Sequence, residues 1–496
     1  MTGGSGLGAE STSGATVPPP APSPAGLGGL VRRGLALSFL NTLVGRAGTV
    51  LVGIVLARLL APEDFGVFAV ALVALTAVLS MNELGVSLAL VRWPGDPRRI
   101  APTVMTISLV SSGVLYLGCL LAAGPFATAM DAPEAAGVVR LLCLSVLLDG
   151  LTATPAQLLT RDFEQGKRMV VDQVSFALST GVTIWLAVAG HGAWSLAWGR
   201  LVGNVLSVLL LFRFAALWPR PGWDRRHAGE LLRFGLPLAG ASLLVFAMLN
   251  AGYVVVGPLL GTVALGFYLQ AFNLSSWPVN VFSTSVRRVS LAAFSRLQDH
   301  PAALAAALAR SGTLLAAATL PVCALLGLLA TPLVSVVYGQ RWAPAAQALQ
   351  FLAVLGLIRV VVELLYDFLV AAGRSRQTML LQGLWLALLV PALVVGAHLD
   401  ALRGAALAQA AVAAGVVLPL YARAAVGVGV PLAQLLRPLA RPAAATVLLA
   451  AAVLAVRAVT DPGIVQLAVA GLAGLAAYLP VAAPLRHLVR GTPTPV

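Results

Sequence analysis

From residue 34 to residue 485, this 496-residue chain runs through one apolar stretch after another, each long enough to cross a bilayer. Fourteen spans can be drawn, at about 34–60, 65–91, 101–128, 136–160, 169–190, 193–213, 232–257, 262–286, 311–337, 344–372, 377–397, 402–422, 442–459 and 463–485. Hydrocarbon offers no water to a backbone, so each span must satisfy its own peptide groups as a helix. The expected class is therefore an all-α integral membrane protein of about fourteen transmembrane helices. Charged residues make up 10% of the chain, against about 25% in soluble proteins, so no large soluble domain can be built from what lies between the spans.

Residues 1–31 stand apart. They are rich in Gly, Ser and Pro and poor in bulky apolar side chains. Such a segment cannot bury enough surface to offset its ordering entropy, and it reads as a disordered tail. It lacks the charged start and compact apolar core of a signal peptide, so the first span would serve as the insertion signal. Cys119, Cys143 and Cys323 all fall within apolar segments and read as small buried hydrophobes.

The net charge of +14 has a topological explanation. With Arg32 and Arg33 in the cytoplasm and sides alternating, 24 of the 32 basic residues fall on the inner side. The outer side holds only Arg58, Arg341, Arg403 and Arg457, and Arg46, Arg140, Arg200 and Arg359 lie within spans. This is the asymmetry of the positive-inside rule. Basic charge then sets orientation, nucleic-acid binding is disfavoured, and both termini are expected in the cytoplasm.

That orientation makes "RLLAPEDFGVF", Arg58 to Phe68, an outer turn between the first two spans. Pro62 suits a first helical position, Glu63 and Asp64 suit a first turn, and Gly66 suits close packing. The turn recurs at an offset of 200 as "PLLGTVALGFY", with Leu59, Leu60 and Gly66 matched by Leu259, Leu260 and Gly266. Six spans separate the copies, an even number, so both begin on the same side. This implies two parallel six-helix repeats with a site between them. The expected division is a tail at 1–31, a first lobe at 32–217, a polar cytoplasmic linker at 218–230, a second lobe at 231–426, and two additional helices with a short tail at 427–496.

Several segments resemble one known family. "LARLLAPEDFGVFAVALVAL", "LLTRDFEQGKRMVVDQVSFALSTGVTIWLAVAGHGAWSLAWGRLVG", "LLRFGLPLAGASLL", "VALGFYLQAFNLSSWPVNVF", "FSRLQD" and "VVYGQRWAPAAQALQFLAVLGLIR" are similar to the polysaccharide-transporter branch of the multidrug/oligosaccharidyl-lipid/polysaccharide (MOP) superfamily, the Wzx-type flippases. The resemblance runs from about Arg33 to Arg376. It implies two lobes around a cavity open alternately to each side, and a substrate with a polyprenyl tail, a pyrophosphate link and a sugar head. It also implies membrane lipid as surroundings, with a polysaccharide polymerase and glycosyltransferases as working partners. The chain departs from the family at Gly252, where relatives often carry an acid, and at Gln270 and Asn273, where they are often basic.

Charges within spans are the candidates for chemistry, because each is costly in hydrocarbon unless paired or facing water. Arg46 lies twelve residues past Gly34, roughly 18 Å into the bilayer. It shares a helical face with Thr42, Thr49 and Gly53. It suits a pyrophosphate through its fork of donors, or a structural pair with Asp149. Asp149 itself reads as that partner, as a protonatable ion-coupling site, or as a buried neutral acid. Arg359, Glu363 and Asp367 recur at spacings of four on one helix face. They form either an anion and ion-coupling site or a self-neutralised pair. Arg200 with Asn204, and Gln270 with Asn273, complete the expected substrate-binding set. Arg140 and Glu83 sit close enough to span ends to snorkel. Trp185, Trp194 and Trp198 fit an aromatic belt, with sugar stacking as the alternative.

Lys167 is the one lysine, and "EQGKRM" lacks the rest of a phosphate-binding loop. No His/Cys cluster suggests a metal, and no cofactor is expected. The reading is a secondary-type flippase for lipid-linked oligosaccharide, not an enzyme. A multidrug antiporter or a peptidoglycan-precursor flippase is the alternative within the superfamily. A membrane-embedded polymerase or ligase would need a larger outer loop.

Overall fold

The computed structural model describes residues 48–82, 99–162, 164–214, 220–283 and 300–485, together with 45, 87, 90, 96, 294, 296 and 297. Among these the structure is helical, with eleven helices long and apolar enough to cross a membrane. α1 is the shorter apolar helix Gly48–Leu59. It is followed by α2 (Pro62–Asn82), α3 (Ala101–Ala129), α4 (Ala135–Arg161), α5 (Gln165–Val188) and α6 (Ala193–Phe214). The second half of the chain holds α7 (Arg225–Pro278), α8 (Pro301–Leu328), α9 (Ala330–Val337), α10 (Ala345–Ala371), α11 (Ser375–Val412) and α12 (Leu418–Val426); α7 begins inside the segment expected to be linker. α13 (Ala440–Val459) and α14 (Ile464–Ala482) close the chain.

Two expected pairs of spans are each one helical run broken in the middle. α7 breaks at Gly261, whose φ of 81° is open to glycine and strained for other residues. α11 breaks at Asp400 and Ala401. Each run folds back on itself. A Cβ on Gly396 would meet the carbonyl of Gly404, and one on Gly257 would meet Leu265. The turns are so short that helical bonding resumes almost at once, so eleven long apolar helices stand where separate spans were drawn.

The repeated turn sits at the end carrying Arg58 and Arg341, the end that the charge count expects to face outward and that is called outer below. Pro62 opens α2 with Glu63 and Asp64 in its first turn, and Asp64 Oδ2 accepts the Ala61 N–H at 2.9 Å. This is half of a capping box. The acids therefore work at the helix start, as their position suggests. The two matched glycines meet across the lobes. A Cβ on Gly66 would overlap the Thr262 carbonyl oxygen, and a Cβ on Gly266 would overlap that of Pro62. One continuous core runs through both lobes, from Leu56 to Val430. α13 and α14 pack on α8, where the Tyr478 hydroxyl donates to the Ala317 carbonyl at 2.7 Å.

The bare surface is apolar. Leu121, Leu399 and Val459 are 72%, 80% and 82% exposed, a pattern that belongs to a protein solvated by lipid rather than water. Trp185, Trp194 and Trp198 are also exposed, at the outer ends of α5 and α6. Cys119, Cys143 and Cys323 are buried free thiols.

Candidate functional site

The outer arginines are the first surprise, because three of the four cap helices. Arg58, in the last turn of α1, donates through Nε to the Val337 carbonyl at 3.0 Å and through a terminal nitrogen to that of Val336, at the C-terminus of α9. Arg341 returns the contact, donating to the Ala57 carbonyl at 2.9 Å and to that of Arg58, at the C-terminus of α1. Trp342 adds its indole N–H to Ala57 at 2.7 Å and packs edge-on against Phe65. Arg457 caps α8 through the Leu328 carbonyl at 2.7 Å. Helix C-termini present unpaired carbonyls and partial negative charge. A basic residue there is bound by the protein, which explains why these positions break the charge rule. The reciprocal pair also ties the lobes together and closes this end.

Beneath that closure lies a cavity of about 520 Å³ between the lobes. Thr49 and Gly53 of α1 line one wall. Gln270, Asn273, Trp277 and Asn280 line the other, and Tyr338 hydrogen-bonds Gln270 near the roof. Of the expected set, Gln270 and Asn273 belong here. Arg46 lies outside the described residues, as do Thr42 and Glu83. Two of the three residues expected on one face with Arg46, Thr49 and Gly53, line this cavity.

Arg200 and Asn204 line a different cavity of about 260 Å³ inside the first lobe, together with Asp149. Arg168, Asp172, Thr152, Ser145 and Ser207 add to its polar lining, so both charge signs are present. Asp149 is held by a chain of bonds: Asn82 donates to Asp149 Oδ2 at 3.1 Å, and the Ser111 and Ser112 hydroxyls each donate to Asn82 Oδ1 at 3.0 Å. Sequence reasoning passed over Asn82, Arg168 and Asp172. Their only signal is polarity near a span end, which many snorkelling residues share.

Arg359 and Glu363 line a third cavity of about 320 Å³ inside the second lobe. The Arg359 guanidinium sits 5.7 Å from the Phe272 ring centroid, within an aromatic group that includes Tyr253 and Tyr268. Tyr268 donates to Gln409 Oε1 at 2.6 Å. The space at Gly252 is taken by the Tyr268 hydroxyl. The departure from the family at that position therefore has a steric partner sixteen residues along the same hairpin. Asp367 is 2% exposed and does not line this cavity. Apart from Asp367, the described members of the expected set thus fall into three cavities, and Arg200 and Arg359 do not converge.

A family model described as polysaccharide biosynthesis protein matches residues 55–347, more than half of the chain. The succinoglycan biosynthesis transport protein ExoT of Rhizobium meliloti (strain 1021) is 28% identical over 60% of this chain, which spans 60% of that relative's length. The lipopolysaccharide biosynthesis protein WzxC of Escherichia coli (strain K12) is 24% identical over 71% of this chain and 72% of its own. Among solved structures, the lipid II flippase MurJ in an inward closed conformation superposes with a TM-score of 0.74 at 12% identity, covering 92% of this chain and 99% of that one. At that identity the superposition speaks to fold, and the shared fold is a two-lobed membrane transporter architecture.

Proposed function

The chain belongs to the polysaccharide biosynthesis protein family, and from that premise we propose that it flips lipid-linked oligosaccharide units across the cytoplasmic membrane by alternating access. The observation that carries this reading is the interlobe cavity. Its amide, hydroxyl and indole groups suit sugar hydroxyls and ring faces, and among the described residues no carboxylate lines it. A pocket for cationic drugs would be expected to hold an acid. The names of the relatives ExoT and WzxC point to polysaccharide and lipopolysaccharide assembly.

In this reading the lobes run over residues 32–217 and 231–426, joined by the 218–230 linker, with both termini in the cytoplasm. Gln270, Asn273 and Thr49 contact the saccharide. Arg46, three residues before Thr49 in the sequence, takes the pyrophosphate. The polyprenyl tail stays in the bilayer. Asp149 with its Asn82 cradle, and Glu363 beside Arg359, are the ion-coupling groups of the two lobes, and Arg200 with Asn204 and Asp367 support them. Transport is of the secondary type, and the polymerase and glycosyltransferases act before and after it.

Reconstitution into liposomes tests the proposal. A fluorescent lipid-linked oligosaccharide on one leaflet should become accessible on the other in the presence of the protein, faster under an imposed ion gradient. Arg46→Ala should abolish that transfer while the protein still inserts. Transfer by the variant at the wild-type rate would sink the pyrophosphate assignment, and absence of transfer by the wild type would sink the function.

A further inference from the structure

At the end opposite the arginine closure, the second lobe carries a basic cavity that the transport path does not use. Its volume is about 360 Å³, and it lies between the start of α11 and the end of α12. Arg374, Gln377 and Arg423 supply its polar lining, with no acidic residue among the lining groups. Arg374 is the N-cap residue of α11, so free N–H groups and the positive end of the helix dipole lie beside the two guanidiniums.

The cavity does not end there. It shares Leu381 and Leu420 with an apolar crevice that runs between the two helices toward mid-membrane, lined further by Leu384, Leu388, Val416 and Trp385. The crevice has no room for a water-sized group at its middle, so no polar head can pass along it. A hydrocarbon chain lying against its open side needs no such room. That side faces outward: Leu380, Leu384 and Leu388 are 62%, 42% and 37% exposed.

We propose that this is a binding site for an anionic phospholipid of the cytoplasmic leaflet, with the phosphate held by Arg374, Arg423 and Gln377 and one acyl chain laid along the α11–α12 crevice. Three features choose a bilayer phospholipid over the transported lipid. The site opens laterally to the bilayer, it is set apart from the interlobe cavity, and the narrow crevice bars a head group from reaching Arg359. The charge count puts this end at the cytoplasmic leaflet. Anionic lipids there are attracted to basic pockets between helices. The proposal rests on that orientation and not on the identity of the cargo.

The full chain, purified in detergent, is titrated with phosphatidylglycerol and with phosphatidylcholine, and bound lipid is read by native mass spectrometry. Wild type should retain phosphatidylglycerol in preference to phosphatidylcholine. Arg374→Gln with Arg423→Gln should weaken that retention about tenfold. Leu388→Trp, which adds bulk on the open side where the acyl chain lies and leaves both arginines in place, should weaken it as well, and it reports independently should the double variant fold poorly. Equal retention by Leu388→Trp and by a folded double variant overturns the proposal. So does displacement of the lipid by inorganic phosphate at matching concentration, which would mean that the site reads phosphate alone. A polyprenyl pyrophosphate that binds tighter than phosphatidylglycerol, and loses its affinity in the same variants, also overturns it and gives the site to the cargo.

Discussion

Gly66 and Gly266 show how much one missing methyl group can carry. Each lets a helix approach the other lobe until its Cα rests on a backbone carbonyl. An alanine at either position must push the lobes apart at the outer end. Backbone cannot rotate out of the way as a side chain does, so each single substitution should cost about 1–3 kcal/mol. The melting temperature in detergent reads this, with Gly118→Ala as the control, since a Cβ there meets nothing. An unchanged melting temperature for Gly66→Ala would deny the contact. Part of this was legible beforehand: the offset of 200 singled out both glycines, and their turn context marked them for packing. That they pack on each other was not legible, because a repeat says that two places are alike and leaves open where they lie.

Among the elements, the ends of helices decide more than their middles. The apolar middles could be exchanged with little effect on the pattern, whereas the ends carry Asp64, Arg58, Arg341 and Arg457 in specific bonds. Asp224 does the same at the start of α7, where its side chain accepts the Arg226 N–H at 2.9 Å. That bond first, with the neighbouring His227 assisting, holds its carboxyl below the usual carboxylate range. A depressed folded pKa contributes stability that is full above the ordinary Asp value of about 3.9 and is lost as pH falls through the lower folded value. Asp224→Ala should therefore lower the melting temperature at neutral pH. The gap from wild type should narrow as the medium is taken into the acid range, and a gap that stays constant with pH would remove the carboxylate from the account. The breaks at Gly261 and at Asp400–Ala401 fall in the gaps drawn between spans, at 258–261 and 398–401, and the backbone reversal is confined to one or two residues.

For the whole molecule, the bonds from Arg58 to the end of α9 and from Arg341 to the end of α1 join the two halves of the chain at one end. Each exposed charge-assisted bond contributes about 1 kcal/mol, so removing the set should shift the balance between closed and open outer ends by about tenfold or more. Arg58→Gln with Arg341→Gln should raise labelling of a Val337→Cys reporter by a membrane-impermeant maleimide in intact cells, since Val337 lines the interlobe cavity just below the closure. Labelling equal to that of the unsubstituted background would mean the closure is held by Trp342 and the glycine contact alone. The pivot would then be Gly66 against Gly266, and the rocking of the lobes in the proposed cycle would turn about it.

Membrane residence, helical class, the doubled lobe and the family all followed from the sequence alone, because each is a property of order along the chain. Apolar run length, sign of charge per connection and offset between like motifs need no third dimension. The sorting of polar residues did not follow. Arg200, Arg359 and Gln270 look alike as polar groups at mid-span, yet they line three separate cavities. Helical period gives the face on which a residue lies but not the neighbour that face meets. The same limit hid the outer arginines, which look like errors in a charge count until the carbonyls they cap are brought from nearly three hundred residues away. Only packing of the two lobes supplies those partners, and hydrogen bonds between them decide which charges belong to the structure.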